Sequence, residues 1–212
     1  MSNYDALLFD FDGVLSDTEP LHFRCWKEVL SGFGVDPTWE WFARNCVGAS
    51  EHDTLQAFRF LASPPLDFDA LWAQYPRKKE LFRKLIAAGV PLAPGAQAML
   101  QNLHGRYWIA VVSSSARQEV QPALEIAGVW GYFDAAVCGS EVAHLKPAPD
   151  PYLRAAELLK SKCPLVVEDS AAGVASAQAA GFDFVRVASV AETVQLVRER
   201  LKDDNKVSWL NA

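Results

Sequence analysis

A short apolar run, Ala6-Leu7-Leu8-Phe9, stops at Asp10-Phe11-Asp12-Gly13, and beyond Gly95 similar runs recur, each followed by a helical pattern. Tyr107 to Val112, Ala135 to Cys138, Leu165 to Val167 and Phe184 to Val187 read as strands, being short, rich in apolar residues and bounded by turn residues. Arg117 to Ala127, Pro151 to Leu159, Gly173 to Ala180 and Ala191 to Lys202 read as helices, the first closed by Gly128 and the third by Gly181. Strands that are apolar along their whole length need cover on both faces. The alternation therefore predicts a doubly wound α/β fold, a parallel sheet with helices on either side.

The stretch between the first strand and Gly95 has another character. Leu21 to Leu30, Trp39 to Phe42, Asp53 to Leu61 and Phe68 to Ala87 are amphipathic with helical spacing, and no strand pattern lies among them. An all-helical insert over residues 17–87, within a core of residues 1–16 and 88–212, is the simplest account. At 212 residues, half of them hydrophobic, the chain is long enough for both. An insert leaving the first strand at its carboxyl end is expected to act there as a lid. Trp26, Trp39, Trp41 and Trp72 fall in it, and packing of a small helical bundle accounts for them more simply than substrate contact does.

Composition excludes several classes of partner. A formal charge of −6 with no dense Lys/Arg cluster argues against nucleic acid and against an anionic membrane surface. Cys25, Cys46, Cys138 and Cys163 are scattered without Cys-x-x-Cys spacing, which speaks for reduced, mostly buried thiols in a cytoplasmic protein. No apolar run approaches 18 residues and the start has no basic segment, so neither a membrane span nor an export signal is expected. A monomer is expected, with Lys206 to Ala212 a loose tail.

Asp10 and Asp12, two residues apart after a strand, project to one side. Two carboxylates that close disfavour each other's ionisation unless a cation or a shared proton relieves them. Gly13 then allows a turn that a side chain would obstruct. In an open parallel sheet, ligands bind outside the carboxyl ends of the strands, which places a candidate site here. Taken alone, the pair has a less favoured second reading as a turn or capping motif.

Other strand ends carry complementary groups. Val111-Val112-Ser113-Ser114-Ser115 puts hydroxyls and backbone N–H groups where a helix begins, a favourable place for an anion. Lys146, in His144-Leu145-Lys146-Pro147-Ala148-Pro149-Asp150, is a cation on a proline-restricted loop. Val166-Val167-Glu168-Asp169-Ser170 repeats the pattern of apolar strand then acid, and offers oxygen ligands to a hard cation such as Mg2+. Each is weak alone; their order at successive strand ends carries the weight.

Together, Asp10-x-Asp12-Gly13, Ser113, Lys146-Pro147 and Glu168-Asp169 resemble the four motifs of the haloacid dehalogenase-like superfamily. The flanking residues are similar to its branch with a helical cap inserted after the first motif, which includes sugar-phosphate phosphatases and β-phosphoglucomutases. The resemblance implies that Asp10 attacks phosphorus to give an aspartyl phosphate and that Asp12 serves as acid and then base. It implies that Ser113 and Lys146 hold phosphoryl oxygens. Mg2+ would be bound by Asp10, the Asp12 carbonyl and Asp169, with Glu168 a ligand or the partner of one. Dehalogenases of the superfamily lack a carboxylate at the position of Asp12, so phosphoryl transfer is expected over carbon–halogen cleavage. With no lysine between Lys27 and Lys78, the Schiff-base phosphonate branch is not expected.

The same resemblance nominates Thr18, His22, Gly48, Ser50, Lys78, Ser114 and Arg117 as substrate-binding residues. It leaves a choice between phosphatase and mutase. The mutase loop pattern Lys-Gly-x-Ser-Arg reads Val47-Gly48-Ala49-Ser50-Glu51 here, and an acid at the arginine position is expected to repel a second phosphate. Arg117 could replace that lost charge, or could simply cap or solvate its helix. The expectation is a Mg2+-dependent phosphatase of small phosphorylated metabolites, sugar or polyol phosphates. A phosphosugar mutase and a non-catalytic binding module stand as alternatives. His52 is undecided as a substrate contact, while His104 and His144 are expected on the surface or in loops.

Overall fold

The computed structural model describes residues 4–47 and 49–201. The chain divides into two compact units, Met1–Asp17 with Gly89–Ala212, and Thr18–Ala88. Among the described residues, no helix is long and apolar enough to cross a membrane.

The discontinuous unit is built on a parallel sheet of five strands, β1 (Ala6–Phe9), β2 (Trp108–Ser113), β3 (Ala135–Cys138), β4 (Pro164–Glu168) and β5 (Asp183–Arg186), in the order β3-β2-β1-β4-β5. β1 is central and wholly buried, which is why it is apolar throughout. β5, at an edge, is half-exposed and carries charges at both ends. Alternate residues form one sheet face: Ala6, Leu8, Ala110, Val112, Val137 and Val166 pack against Tyr152, Ala155 and Leu159 of one helix and Ala177 of another. Phe9 stands level with Val111 on β2 and Val167 on β4. The polar residues that follow these three strands are thereby gathered at one edge of the sheet, on both sides of the reversal in strand order. The doubly wound α/β architecture is the one the alternation predicts.

The other unit holds α1 (Glu19–Leu30), α2 (Trp39–Asn45), α3 (Glu51–Arg59), α4 (Phe68–Trp72) and α5 (Tyr75–Ile86). Trp26, Val29, Leu30, Phe42, Leu55, Phe58 and Leu71 make its core, with Trp41 packed against them. Trp39 and Trp72 remain 42% exposed but also pack on rings of this unit, Trp39 on Phe23 and Phe42 and Trp72 on Phe68 and Tyr75. The helix expected over Phe68 to Ala87 is two. Pro76 lies in the first turn of α5 and has no N–H to continue α4, so the chain breaks at Ala73-Gln74.

Back in the sheet-bearing unit lie α6 (Ala96–Leu103), α7 (Arg117–Ile126), α8 (Asp150–Leu159), α9 (Ala171–Ala179) and α10 (Thr193–Arg200). Helix α6 was not expected from the alternation, although Ala96, Met99, Leu100 and Leu103 form its buried stripe at helical spacing. Three cysteines are buried and Cys163 is exposed, in line with thiols expected to be mostly buried. Residues 206–212, expected as a tail, lie outside the described residues.

Candidate active site

Asp10 is the first residue beyond β1. Its N–H donates to the Val167 carbonyl (2.9 Å), which continues the sheet ladder and aims its buried carboxylate at the ends of β2 and β4. Asp10 Oδ1 accepts a hydrogen bond from Lys146 Nζ at 2.6 Å. The other two protons of that ammonium go to Glu168 Oε1 (2.6 Å) and the Val112 carbonyl (2.9 Å). Lys146, with a side chain 5% exposed, is thus held by three oxygens from three different strand ends.

Glu168 is fully buried and saturated. Its Oε1 accepts from Lys146 and from the Tyr152 hydroxyl (2.8 Å), while Oε2 accepts from the N–H groups of Asp169 (3.0 Å) and Ser170 (3.1 Å) and from Ser170 Oγ (3.1 Å). Burial pushes its carboxyl up, but the Lys146 charge and these donors outweigh that and hold it below the ordinary glutamate value. Glu168 is built as the partner of Lys146 and of the Asp169 backbone.

Asp12 faces other groups. After Asp12 the chain turns tightly, with Gly13 at φ +76° and its N–H donating to the Ser16 carbonyl at 2.8 Å. Asp12 Oδ2 accepts from Ser113 Oγ (3.2 Å) and Ser115 Oγ (2.9 Å), and the Ser115 N–H donates to Ser113 Oγ (3.0 Å). The two aspartates thus have separate partners, one a cation and the other a pair of hydroxyls. Ser115 was not singled out from the sequence; its place one residue past the exposed Ser114 in the serine run was the available signal. Tyr152, equally unforeseen, gave no sequence signal beyond its apolar helical register.

The acids at this edge outnumber the ammonium. Asp10, Glu168 and Asp169 each place a carboxylate oxygen within 4.8 Å of the others. Burial raises the Asp10 carboxyl well above its ordinary value against the opposing pull of Lys146, with Glu168, Asp12 and Asp169 adding to the rise. Burial, then the Glu168 charge, pushes Asp169 up to about 6. A second cation at this edge would relieve both. There is also no room for a side chain at Gly13, where a Cβ would lie 2.2 Å from Asp169 Oδ2. Oxygen donors, excess negative charge and a glycine that keeps Asp169 close fit a hard divalent cation such as Mg2+. Asp10, Glu168 and Asp169 are the carboxylates close enough to share it, with the oxygens of Glu168 already taken by Lys146, Tyr152 and the donors of Asp169 and Ser170.

The remaining nominated residues are engaged locally. Arg117, at the start of α7, is paired through Nε and Nη2 with Glu141 and donates from Nη2 to the Ala136 carbonyl (2.8 Å), so its charge is compensated. In the helical unit, Thr18 is buried and its carbonyl accepts from the N–H groups of Leu21 and His22. Ser50 caps α3, accepting from the Asp53 N–H (3.1 Å) and donating to Asp53 Oδ2 (2.7 Å). Lys78, 2% exposed, is paired with Glu51 and donates to His22 Nδ1 at 2.7 Å. Glu51, expected to repel a second phosphate, has its charge compensated by the Lys78 ammonium. His22 stacks on Phe82 with centroids 4.0 Å apart, and burial followed by the Lys78 charge holds it well below the ordinary histidine value, hence neutral. His52, His104 and His144 are exposed. Gly48 lies outside the described residues.

A family model described as haloacid dehalogenase-like hydrolase matches residues 7–187. The chain is 35% identical over 188 residues to the fructose-1-phosphate phosphatase YqaB of Escherichia coli (strain K12), covering 87% of this chain and 96% of that one. It is 30% identical over 226 residues to a β-phosphoglucomutase of Mycobacterium bovis, covering 91% and 86% respectively. Among solved structures, CbbY from Rhodobacter sphaeroides in complex with phosphate is similar with a TM-score of 0.69 at 26% identity, covering 89% of this chain and 96% of that one. The chain belongs to the haloacid dehalogenase-like hydrolase family.

Proposed function

We propose that the protein is a Mg2+-dependent phosphatase of small sugar or polyol phosphates that works through a phosphorylated Asp10. The observation that carries this reading is the separate partnering of the two aspartates: Asp10 lies against the Lys146 ammonium and Asp12 against the hydroxyls of Ser113 and Ser115. A nucleophile and an acid–base need different surroundings, and these two carboxylates have them.

In the proposed reaction the Asp10 carboxylate attacks phosphorus, and the bond from phosphorus to the ester oxygen breaks. Asp12 gives its proton to that departing oxygen. Water then attacks the phosphorus of the acyl phosphate, Asp12 takes a proton from it, and Asp10 is released as a carboxylate with free phosphate. When the ester binds, Lys146 can exchange its bond to the Val112 carbonyl, and Ser113 its bond to Asp12, for bonds to phosphoryl oxygens, which lessens repulsion between nucleophile and ester. Bound by Asp10, the Asp12 carbonyl and Asp169, Mg2+ would supply further neutralisation of phosphoryl charge.

Hydrolysis is favoured over mutase chemistry by the state of the spare cations. A mutase must retain a bisphosphate, and Arg117 and Lys78, which could grip a second phosphate, are compensated by Glu141 and Glu51. The relative named for fructose 1-phosphate supports a sugar monophosphate as substrate.

The test is phosphate release with Mg2+ from a panel of sugar and polyol monophosphates, run beside conversion of β-glucose 1-phosphate to glucose 6-phosphate with bisphosphate primer. Free phosphate without isomerisation is expected. Isomerisation without phosphate loss would make the protein a mutase. Neither product would leave a non-catalytic binding role.

A further inference from the structure

We infer that Tyr152 is a positioning residue for the reaction: its hydroxyl fixes Glu168 Oε1 and thereby keeps the Lys146 ammonium on Asp10. The inference rests on the phosphatase reading above. Tyr152 lies in the first turn of α8, fully buried, where packing alone would be served equally well by phenylalanine. Instead its hydroxyl donates to Glu168 Oε1 at 2.8 Å. That oxygen is the one Lys146 Nζ also occupies, at 2.6 Å. The ring centroid of Tyr152 lies 4.9 Å from Lys146 Nζ, so the aromatic face covers the ammonium from another side.

The consequence follows from competition for one oxygen. Lys146 is shared between two buried carboxylates, and its position depends on how strongly each draws it. A neutral donor on Glu168 Oε1 satisfies part of that oxygen's demand and prevents the glutamate from drawing the ammonium wholly to itself. Without the hydroxyl, Glu168 has Lys146 as the sole remaining partner among these contacts for Oε1, and the pair tightens at the expense of Asp10. Glu168 cannot turn away to find another donor. Its Oε2 is fixed by three donors from Asp169 and Ser170, and the backbone at Gly173 lies against its carboxylate.

Tyr152→Phe keeps the ring and removes the hydroxyl. Its kcat for a sugar monophosphate, counted per folded enzyme, is expected to fall to about one-tenth of wild type or below, the range in which supporting partners of reactive groups act. KM is expected to stay within threefold. Mg2+ affinity, measured directly by calorimetry, is expected not to weaken, because Tyr152 touches neither Asp10 nor Asp169 and an ammonium drawn away from Asp10 leaves that carboxylate freer for the ion. Placing 4-aminophenylalanine at position 152 restores a donor on the same ring and is expected to bring kcat back above one-fifth of wild type. A Tyr152→Phe kcat at or above one-fifth of wild type, a 4-aminophenylalanine variant no faster than the phenylalanine one, or a loss tracking weaker Mg2+ binding would each overturn the inference. Should Tyr152→Phe fail to fold, the 4-aminophenylalanine variant decides: folded and above one-fifth of wild type supports the inference, and folded but slower overturns it. Wild-type enzyme in the same assay separates these outcomes from a failure of the phosphatase reading, in which no phosphate would be released at all.

Discussion

A Cβ on Gly173 would lie 1.7 Å from Glu168 Oε1, so the first turn of α9 and the buried glutamate are fitted to one another at a position where no larger residue can stand. Ser170 caps that helix, accepting from the Gly173 N–H at 2.9 Å while donating from the same hydroxyl to Glu168 Oε2. The contact links the start of a helix to the ammonium and nucleophile at the sheet edge, because Glu168 holds Lys146 and Lys146 holds Asp10.

Gly173→Ala is therefore expected to reverse the usual rule. Alanine inside a helix is ordinarily better than glycine by about 1 kcal/mol. Here the added methyl displaces Glu168, and a misplacement of that order costs about 100-fold in rate. Phosphate release should fall by roughly that factor and the melting temperature should drop. An unchanged rate would show that Glu168 does not set the geometry.

In the helical unit the pair of Lys78 and Glu51 behaves as a structural element. Glu51→Gln leaves a buried ammonium with His22 Nδ1 and three aromatic faces, those of Trp26, Tyr75 and Phe82, in place of a counter-charge. Removing one member of a fully buried pair costs about 3–5 kcal/mol. Glu51 keeps 31% of its side chain exposed, and solvent screening reduces the expected loss to about 2 kcal/mol. Urea denaturation followed by tryptophan fluorescence would measure it, and an unchanged midpoint would contradict this role.

Thiol reactivity offers a check on burial with a definite pH sign. Burial is the leading cause of the rise in Cys25 to about 11, Cys46 to about 12 and Cys138 to about 11. A thiol stays protonated and unreactive until the pH climbs through its raised value, so at pH 8 these three should resist iodoacetamide. Cys163, exposed, should be modified first. Peptide mapping after brief labelling is expected to find Cys163 alone modified in the native protein and all four cysteines modified in denaturant.

How much of this was legible in the sequence follows from what is local and what is not. The apolar runs end where the sheet ends, so Asp10, Ser113 and Glu168 could be placed at neighbouring strand ends before any geometry was known. The period of α8 and of the helices in the insert was equally readable. What stayed hidden depends on contacts between elements far apart in the chain. Glu51 is legible in sequence as an acid expected to repel a second phosphate, but its partner is not, because Lys78 reaches it only when α3 and α5 pack together. Tyr152 carries no local sign of a role, since its hydroxyl gains meaning only beside the end of β4. Arg117 was open between two roles until the loop carrying Glu141 came against it. The break before Pro76 and the stripe of α6 were visible locally and were overlooked for lack of a strong boundary signal.

The central claim is that Asp10 carries the phosphoryl group, and the most direct measurement is acid-quenched turnover with 32P-labelled substrate, followed by peptide mapping of the label. Label is expected on Asp10 in the wild-type chain. For Asp10→Asn, no labelled protein is expected, with an unchanged circular dichroism spectrum and phosphate release lowered by at least about 10⁴-fold. Label on another residue, or an Asp10→Asn variant that still releases phosphate within about tenfold of wild type, would contradict the claim.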